Sequence, residues 1–296
     1  MKGYRFRMPP KNNPLIVIIC LALVSFQSYS AEPVPERVNK LTIGAGFTHN
    51  SMPHTAVGSD TSAVPFFDIQ LGPFFAYNKN DEPVIGLELF RHKRVMLALA
   101  SIYGSHSLDV SDVSKDKEWV YLGIEDRDKA TEVALIFHFY SKVGLIDITV
   151  ARDVSDTYDD FRSSISWSRP FPETGNWTIT PRMYGRYYSE GFNNYYYGVS
   201  EQAMVSAEQT YNTEGIIIGG NPVNNFDDYR FNYRPPYEAG NGGQFGFDLN
   251  IEYNFTEQFK ALGYIGMEQL GGQVTSSVLV EDSDIWKASL GIAYTF

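Results

Sequence analysis

The sequence predicts an all-β chain, a transmembrane antiparallel β-barrel with about twelve strands, ten and fourteen being the alternatives. Three observations predict it. After a secretory leader, apolar and polar residues alternate with period two along most of the chain. The connections between alternating segments are short and long in strict turn. The chain also ends on a strand with one face apolar or aromatic to its last residue.

The leader comes first. Lys2, Arg5, Arg7 and Lys11 precede an uninterrupted apolar run from Leu15 to Val24, and Ser28-Tyr29-Ser30 offers small residues for a signal peptidase. A bilayer-spanning helix needs roughly 20 apolar residues, so residues 1–30 read as a signal peptide cleaved after Ser30. Cys20, the only cysteine, leaves with it; Ile19 before it argues against a lipoprotein site. The mature chain, 31–296, then has no thiol chemistry and no disulfide. Residues 31–39 form an extended periplasmic tail, with Ala31-Glu-Pro-Val-Pro-Glu36 favouring polyproline geometry.

The strands follow in order. Leu41, Ile43, Ala45 and Phe47 share one face, and so do Phe67, Ile69 and Leu71. A short aromatic piece from Phe74 to Tyr77 follows the turn at Gly72-Pro73. Ile85, Leu87 and Leu89, then Val95, Leu97 and Leu99, continue the pattern. Val133 to Phe139, Ile146 to Val150, Phe161 to Trp167 and Trp177 to Met183 make the next four. Phe245 to Tyr253 alternates cleanly, and Phe259 to Met267 less so. The closing strand places Trp286, Leu290, Ile292, Tyr294 and Phe296 on its apolar face, against Lys287, Ser289 and Thr295. A terminal aromatic strand of this kind is expected to be the signal that barrel-assembly machinery reads.

Short connections lie near Gly72, at Arg91–Lys93, Ser141–Lys142, Pro170–Gly175 and Asn254–Gln258. The connections between them are mostly longer, above all the expected external loops near 103–130 and 188–242. A barrel in the outer membrane has this asymmetry, short turns facing the periplasm and longer loops facing outside; an even strand count puts both termini in the periplasm. The stretch Glu214 to Gly220 reads as a loop strand or as a constriction folded inward.

Composition narrows the function classes. Without the leader, 20 basic residues face 35 acidic ones, a formal net charge of −15 that argues against nucleic acid. The 20 Tyr and 20 Phe suit the aromatic girdles of a membrane barrel. Opposite the apolar faces, Asp68, Glu88, Glu132, Asp147, Arg162, Arg182, Arg186, Asp248, Glu252 and Lys287 are expected to point into the lumen. They would either line a mildly cation-preferring pore or pair across strands and fill the lumen.

The histidines carry no catalytic pattern. His49, His54 and His106 fall in or beside external loops, His92 in a turn, and His138 in a strand on the lumen side. Ser105-His106-Ser107 is too common a tripeptide to indicate a lipase, and the nearby Asp109 and Asp112 read as solvated loop carboxylates. Asp153 to Asp160 lacks the spacing of a calcium loop. We therefore expect no catalytic residues, cofactor or metal.

One stretch resembles a known family. Asn194-Tyr-Tyr-Tyr-Gly-Val-Ser-Glu-Gln-Ala203 is similar to the signature of the MipA/OmpV family of outer-membrane proteins, and Tyr237 and Gly240 match the Tyr and Gly that follow it. Pro65-Phe-Phe-Asp68, Asn176-Trp-Thr-Ile-Thr-Pro181 and Tyr294-Thr-Phe296 fit the family's layout from about Leu41 onward; Glu214 to Pro236 looks inserted. The resemblance implies a non-catalytic barrel in the outer membrane of a Gram-negative cell, acting as a scaffold linked to a murein hydrolase and a murein synthase. The alternatives it implies are a small porin-like channel or an adhesion protein, with an outer-membrane hydrolase a distant third. The expected partners are outer-membrane lipid, lipopolysaccharide, the assembly machinery and those murein enzymes.

Overall fold

The computed structural model describes residues 38–79, 82–172 and 174–296. The signal-peptide assignment, Cys20 and most of the 31–39 tail lie outside them.

In hydrocarbon every backbone N–H and C=O must be paired, so a sheet can span a membrane only when closed on itself. Twelve antiparallel strands close in this way. They are β1 (Lys40–Asn50), β2 (Asp60–Leu71), β3 (Phe74–Lys79), β4 (Glu82–His92), β5 (Val95–Tyr103), β6 (Thr131–Ser141), β7 (Gly144–Asp153), β8 (Phe161–Ser168), β9 (Trp177–Tyr188), β12 (Gly242–Asn254), β13 (Phe259–Gln269) and β14 (Asp284–Thr295). Each pairs with its neighbour in sequence, except that β9 pairs with β12 across a long insertion, and β14 returns to β1. The expected strand count and antiparallel order hold. No described helix is long and apolar enough to cross a membrane; the crossing is made by strands.

Alternation sets the two faces of the wall. On β14, Trp286, Leu290 and Ile292 are exposed on the outside, whereas Gly291 and Ala293 are buried inside. The seam depends on glycine. Gly46 and Gly291 face each other across β1 and β14, and the ring of Phe66 lies over both. A Cβ on Gly291 would sit 2.3 Å from Phe66 Cε2, so neither position has room for a side chain. The last residue completes the closure: the Phe296 amide donates to the Leu41 carbonyl at 2.9 Å.

One end of the barrel, the end of the long connections, carries a second layer. The 189–241 segment folds into α1 (Glu190–Tyr197) and α2 (Glu201–Glu214) and then a small hairpin, β10 (Ile217–Ile218) with β11 (Asn221–Pro222). Ser200 caps α2 by accepting from the Ala203 amide at 3.1 Å, and Gly215 at φ +75° ends it. Glu214 to Gly220 is thus a helix end and one hairpin strand in the cap, with Ile217 exposed, and forms no inward constriction.

These helices pack with the 104–130 and 270–283 loops around a core that includes Val120, Tyr121, Met204, Tyr229 and Leu279. The β5–β6 and β13–β14 connections start from opposite sides of the barrel, yet they touch: Tyr121 Oη lies 3.5 Å from the Leu279 carbonyl, which it shares with the Thr55 carbonyl at 2.8 Å. The mouth at this end is therefore covered.

Candidate functional site

Beneath this cap the barrel interior is crossed by charge. Arg162 on β8 donates through Nε to both oxygens of Glu132 on β6 (2.7 and 2.9 Å) and through Nη2 to Oε2 at 2.7 Å. Its Nη1 lies 3.4 Å from Glu82 Oε1 on β4, four strands away around the barrel. Tyr158 Oη donates to Glu132 at 2.6 Å and Ser105 Oγ to Glu82 at 3.3 Å. Glu132, 1% exposed, is thus a fully partnered buried carboxylate. Arg186 on β9 donates to Glu268 on β13 at 2.8 Å, skipping β12. Arg182 donates to Asp248 at 2.9 and 2.6 Å. The Tyr184 ring lies against both guanidiniums, 5.0 Å from Arg182 and 4.7 Å from Arg186.

Toward the short-turn end of the barrel the pairs are more local. Arg91 Nε reaches Glu88 at 2.8 Å, Lys260 reaches Glu252 at 2.9 Å, and Lys40 reaches Asp68 at 2.8 Å. His138 Nδ1 bonds to Asp147. Lys287 is half-buried on the inward face of β14. Of the charges singled out in the sequence, Arg162 meets Glu132 and Arg182 meets Asp248. Asp68, Glu88, Arg186 and Glu252 pair instead with Lys40, Arg91, Glu268 and Lys260, which sequence reasoning missed. For three of them the signal was available: Lys40, Lys260 and Glu268 sit at even offsets from inward residues on their own strands, as Glu268 does from Tyr264, whereas Arg91 lies three residues from Glu88 across a β-bulge that breaks the alternation.

Above the charges lies an aromatic layer. His106 packs against Tyr188, Phe192 and Tyr196, with ring centroids 5.0–5.7 Å away. Burial holds it neutral, its pKa lowered to about 3, with Arg162 and Arg186 adding to the shift and Glu82 opposing it. His54 stacks on Tyr197 at 5.5 Å, and burial lowers its pKa to about 4.

Chemically this arrangement positions charge without activating a nucleophile. Ser166 Oγ and His138 Nδ1 both bind Asp147, at 3.5 Å for the serine, so the carboxylate stands between hydroxyl and imidazole. An acyl-transfer triad needs the imidazole in the middle. Ser105 points to Glu82, and Asp109 is occupied in capping Ser111. Among the described residues no three His, Cys, Asp or Glu side chains are grouped to hold a metal.

The cap also explains a sequence signature. Val199 and Tyr237 exchange backbone hydrogen bonds, both at 2.9 Å. Asn193 Nδ2 donates to the Gly240 carbonyl at 2.8 Å, and the Gly240 amide donates to Asn194 Oδ1 at 3.1 Å, with Gly240 at φ +59°. The two halves of the motif, Asn194 to Ser200 and Tyr237 to Gly240, are thus clamped together, and residues 201–236 loop out between them. The family model for MipA, MltA-interacting protein, matches residues 41–296. The chain belongs to the MipA family. It is 23% identical to MltA-interacting protein of Escherichia coli strain K12 over 257 residues, covering 87% of this chain and 90% of that one. It is 20% identical over 259 residues to YiaT of the same strain, named as an outer-membrane protein, covering 87% and 92%. Among solved structures it is similar to the NanC porin (9% identity, TM-score 0.40, 86% and 98% coverage). It is also similar to an outer-membrane channel from Pseudomonas putida F1 (9% identity, TM-score 0.40, 92% and 100% coverage). This MipA-family protein is an outer-membrane β-barrel.

Proposed function

We propose that this MipA-family barrel is a non-catalytic scaffold of the outer membrane that holds murein enzymes at its periplasmic side. The observation that carries this reading is the double closure of the external half, where opposed loops meet over the mouth and Arg162 links Glu132 to Glu82 beneath them. A barrel closed in this way offers its faces, and not its lumen, for work. The name of the relative, MltA-interacting protein, supports a murein enzyme as one partner, and we propose a murein synthase as the second from the family resemblance alone. Capture of the protein from detergent-solubilised envelopes should bring down both enzymes in stoichiometric amounts. Recovery of neither, from a preparation that stays folded, would overturn the scaffold reading.

A second reading is a small cation-preferring channel. It is favoured by the inward carboxylates Glu82, Glu88, Glu132 and Asp147, whose partners could separate to admit a cation.

A further inference from the structure

The two ends of the barrel differ in charge. External segments carry runs of carboxylate, such as Glu118, Glu125, Asp126 and Asp128 on one loop and Asp156, Asp159 and Asp160 on the next. Three consecutive periplasmic turns carry cations, the third also holding Glu173 in its sequence. Lys93 and Arg94 join β4 to β5, Lys142 lies in the β6–β7 turn, and Arg169 starts the β8–β9 turn. Lys93, Arg94 and Lys142 are exposed, and none of the four makes an ion pair among the described residues. Arg169 lies beside the neighbouring turn, its Cβ 3.1 Å from where a Cβ on Gly144 would stand. Trp167 ties the same two turns by donating its indole N–H to the Val143 carbonyl at 2.8 Å.

Exposed apolar side chains interleave with these cations: Phe90 (51%), Val143 (60%) and Phe171 (38%). They continue the lipid-facing wall down to the level of the cations. Apolar groups one to three residues from such cations make the chemistry of a bilayer interface, with the former in acyl chains and the latter at phosphates. The acidic loops do not cancel this attraction. They lie beyond an apolar band of about 25 Å, roughly three times the Debye length of about 8 Å at physiological salt.

We propose that Lys93, Arg94, Lys142 and Arg169 form a collar that binds the phosphates of anionic phospholipid in the periplasmic leaflet. The two guanidiniums offer paired N–H donors to phosphate, and the two ammonium groups act as point charges.

The test uses the full-length barrel reconstituted in bilayers of phosphatidylcholine containing spin-labelled phosphatidylglycerol or spin-labelled phosphatidylcholine. The motionally restricted boundary fraction reports each lipid's relative affinity. The wild type is expected to prefer phosphatidylglycerol about ten-fold, as a few charges near an anionic headgroup would produce. The variant K93Q/R94Q/K142Q/R169Q is expected to lose that preference. The charge-keeping K93R/R94K/K142R/R169K should retain it, as should the external control K115Q/K117Q/K129Q. Heat-modified migration in gels verifies folding of each. Equal affinity for the two lipids in the wild type would overturn the proposal, and so would an equal drop in the external control. If the glutamine variant keeps its lipid preference but no longer captures murein enzymes, the collar is a protein-docking surface and the lipid assignment is wrong. The scaffold reading stands or falls separately, on enzyme capture by the wild type.

Discussion

Arg162 on β8 and Glu82 on β4 meet across the lumen at 3.4 Å, although four steps of the barrel wall separate their strands. The same guanidinium holds Glu132, so one side chain both fills and spans the capped half of the interior. Replacing Arg162 with Met would strand a buried carboxylate. Loss of one partner of a buried pair is strongly destabilising, by about 3–5 kcal/mol. Urea unfolding of the R162M protein in liposomes should show a drop of that order, and R162M/E132Q should recover part of it. An R162M protein as stable as the wild type would show that the bridge contributes nothing.

The two histidines under the cap make it sensitive to acid. Their folded-state pKa values, about 4 for His54 and about 3 for His106, lie below the ordinary value of 6.5. Their neutral forms therefore stabilise the cap fully above pH 6.5, and that stabilisation is lost as pH falls toward 4. For His54 the loss approaches about 3 kcal/mol at the acid end. Amide hydrogen exchange in 104–130 and 189–241 should rise between pH 6.5 and 4, after correction for intrinsic rates, while the barrel strands stay protected. The H54Q/H106Q variant should flatten this dependence; an unchanged profile would contradict the assignment.

Arg234 is the least expected charge in the cap. It is fully buried with no carboxylate partner among the described residues, donating to the Val120 carbonyl at 3.1 Å and the Ala203 carbonyl at 3.4 Å and facing the Tyr229 ring at 5.5 Å. Burial lowers its pKa, opposed by Tyr229. It clips the β5–β6 loop to α2. Arg234→Met should remove the Val120 carbonyl's donor and the Ala203 carbonyl's second one, and loosen the cap by about 1–3 kcal/mol, read as faster limited proteolysis of the 189–241 segment with the barrel core intact.

The closing strand yields a test of assembly. We propose that its outward row, Trp286, Leu290, Ile292, Tyr294 and Phe296, is what the assembly machinery reads, with Phe296 packed edge-on to Tyr294 at 4.9 Å. Phe296→Asp should lower the yield of folded barrel in the outer membrane several-fold and accumulate periplasmic protein. Normal yield would remove the proposal.

Legibility followed the period of each segment. Strands with one face in lipid must alternate, and β12 and β14 were readable from residues such as Phe245, Phe247 and Leu290 alone. The bounds of the first loop were not: β1 and β2 run on to Asn50 and back to Asp60, past the apolar run that marked them. The helices of 188–242 leave no period-two signal, and so read as loop. Phe192, Asn193, Tyr196 and Tyr197, all buried, fall at i, i+1, i+4 and i+5, a helical stripe under the cap. The ion pairs were half-readable: alternation gives the side on which a charge lies, but register decides its partner. Arg182 faces Asp248 because β9 and β12 pair there, after 53 intervening residues that no local pattern could align.

The cap and the Arg162 bridge close one half of this barrel, and we propose that the protein works through its faces. Planar-bilayer recording of the purified, full-length barrel at neutral pH tests it most directly. The expected result is a silent bilayer at high protein load, with steps appearing only in variants that break the bridge and the cap together, such as R162M/R234M. Discrete, cation-preferring steps from the wild-type protein would contradict the claim and establish the channel reading in its place.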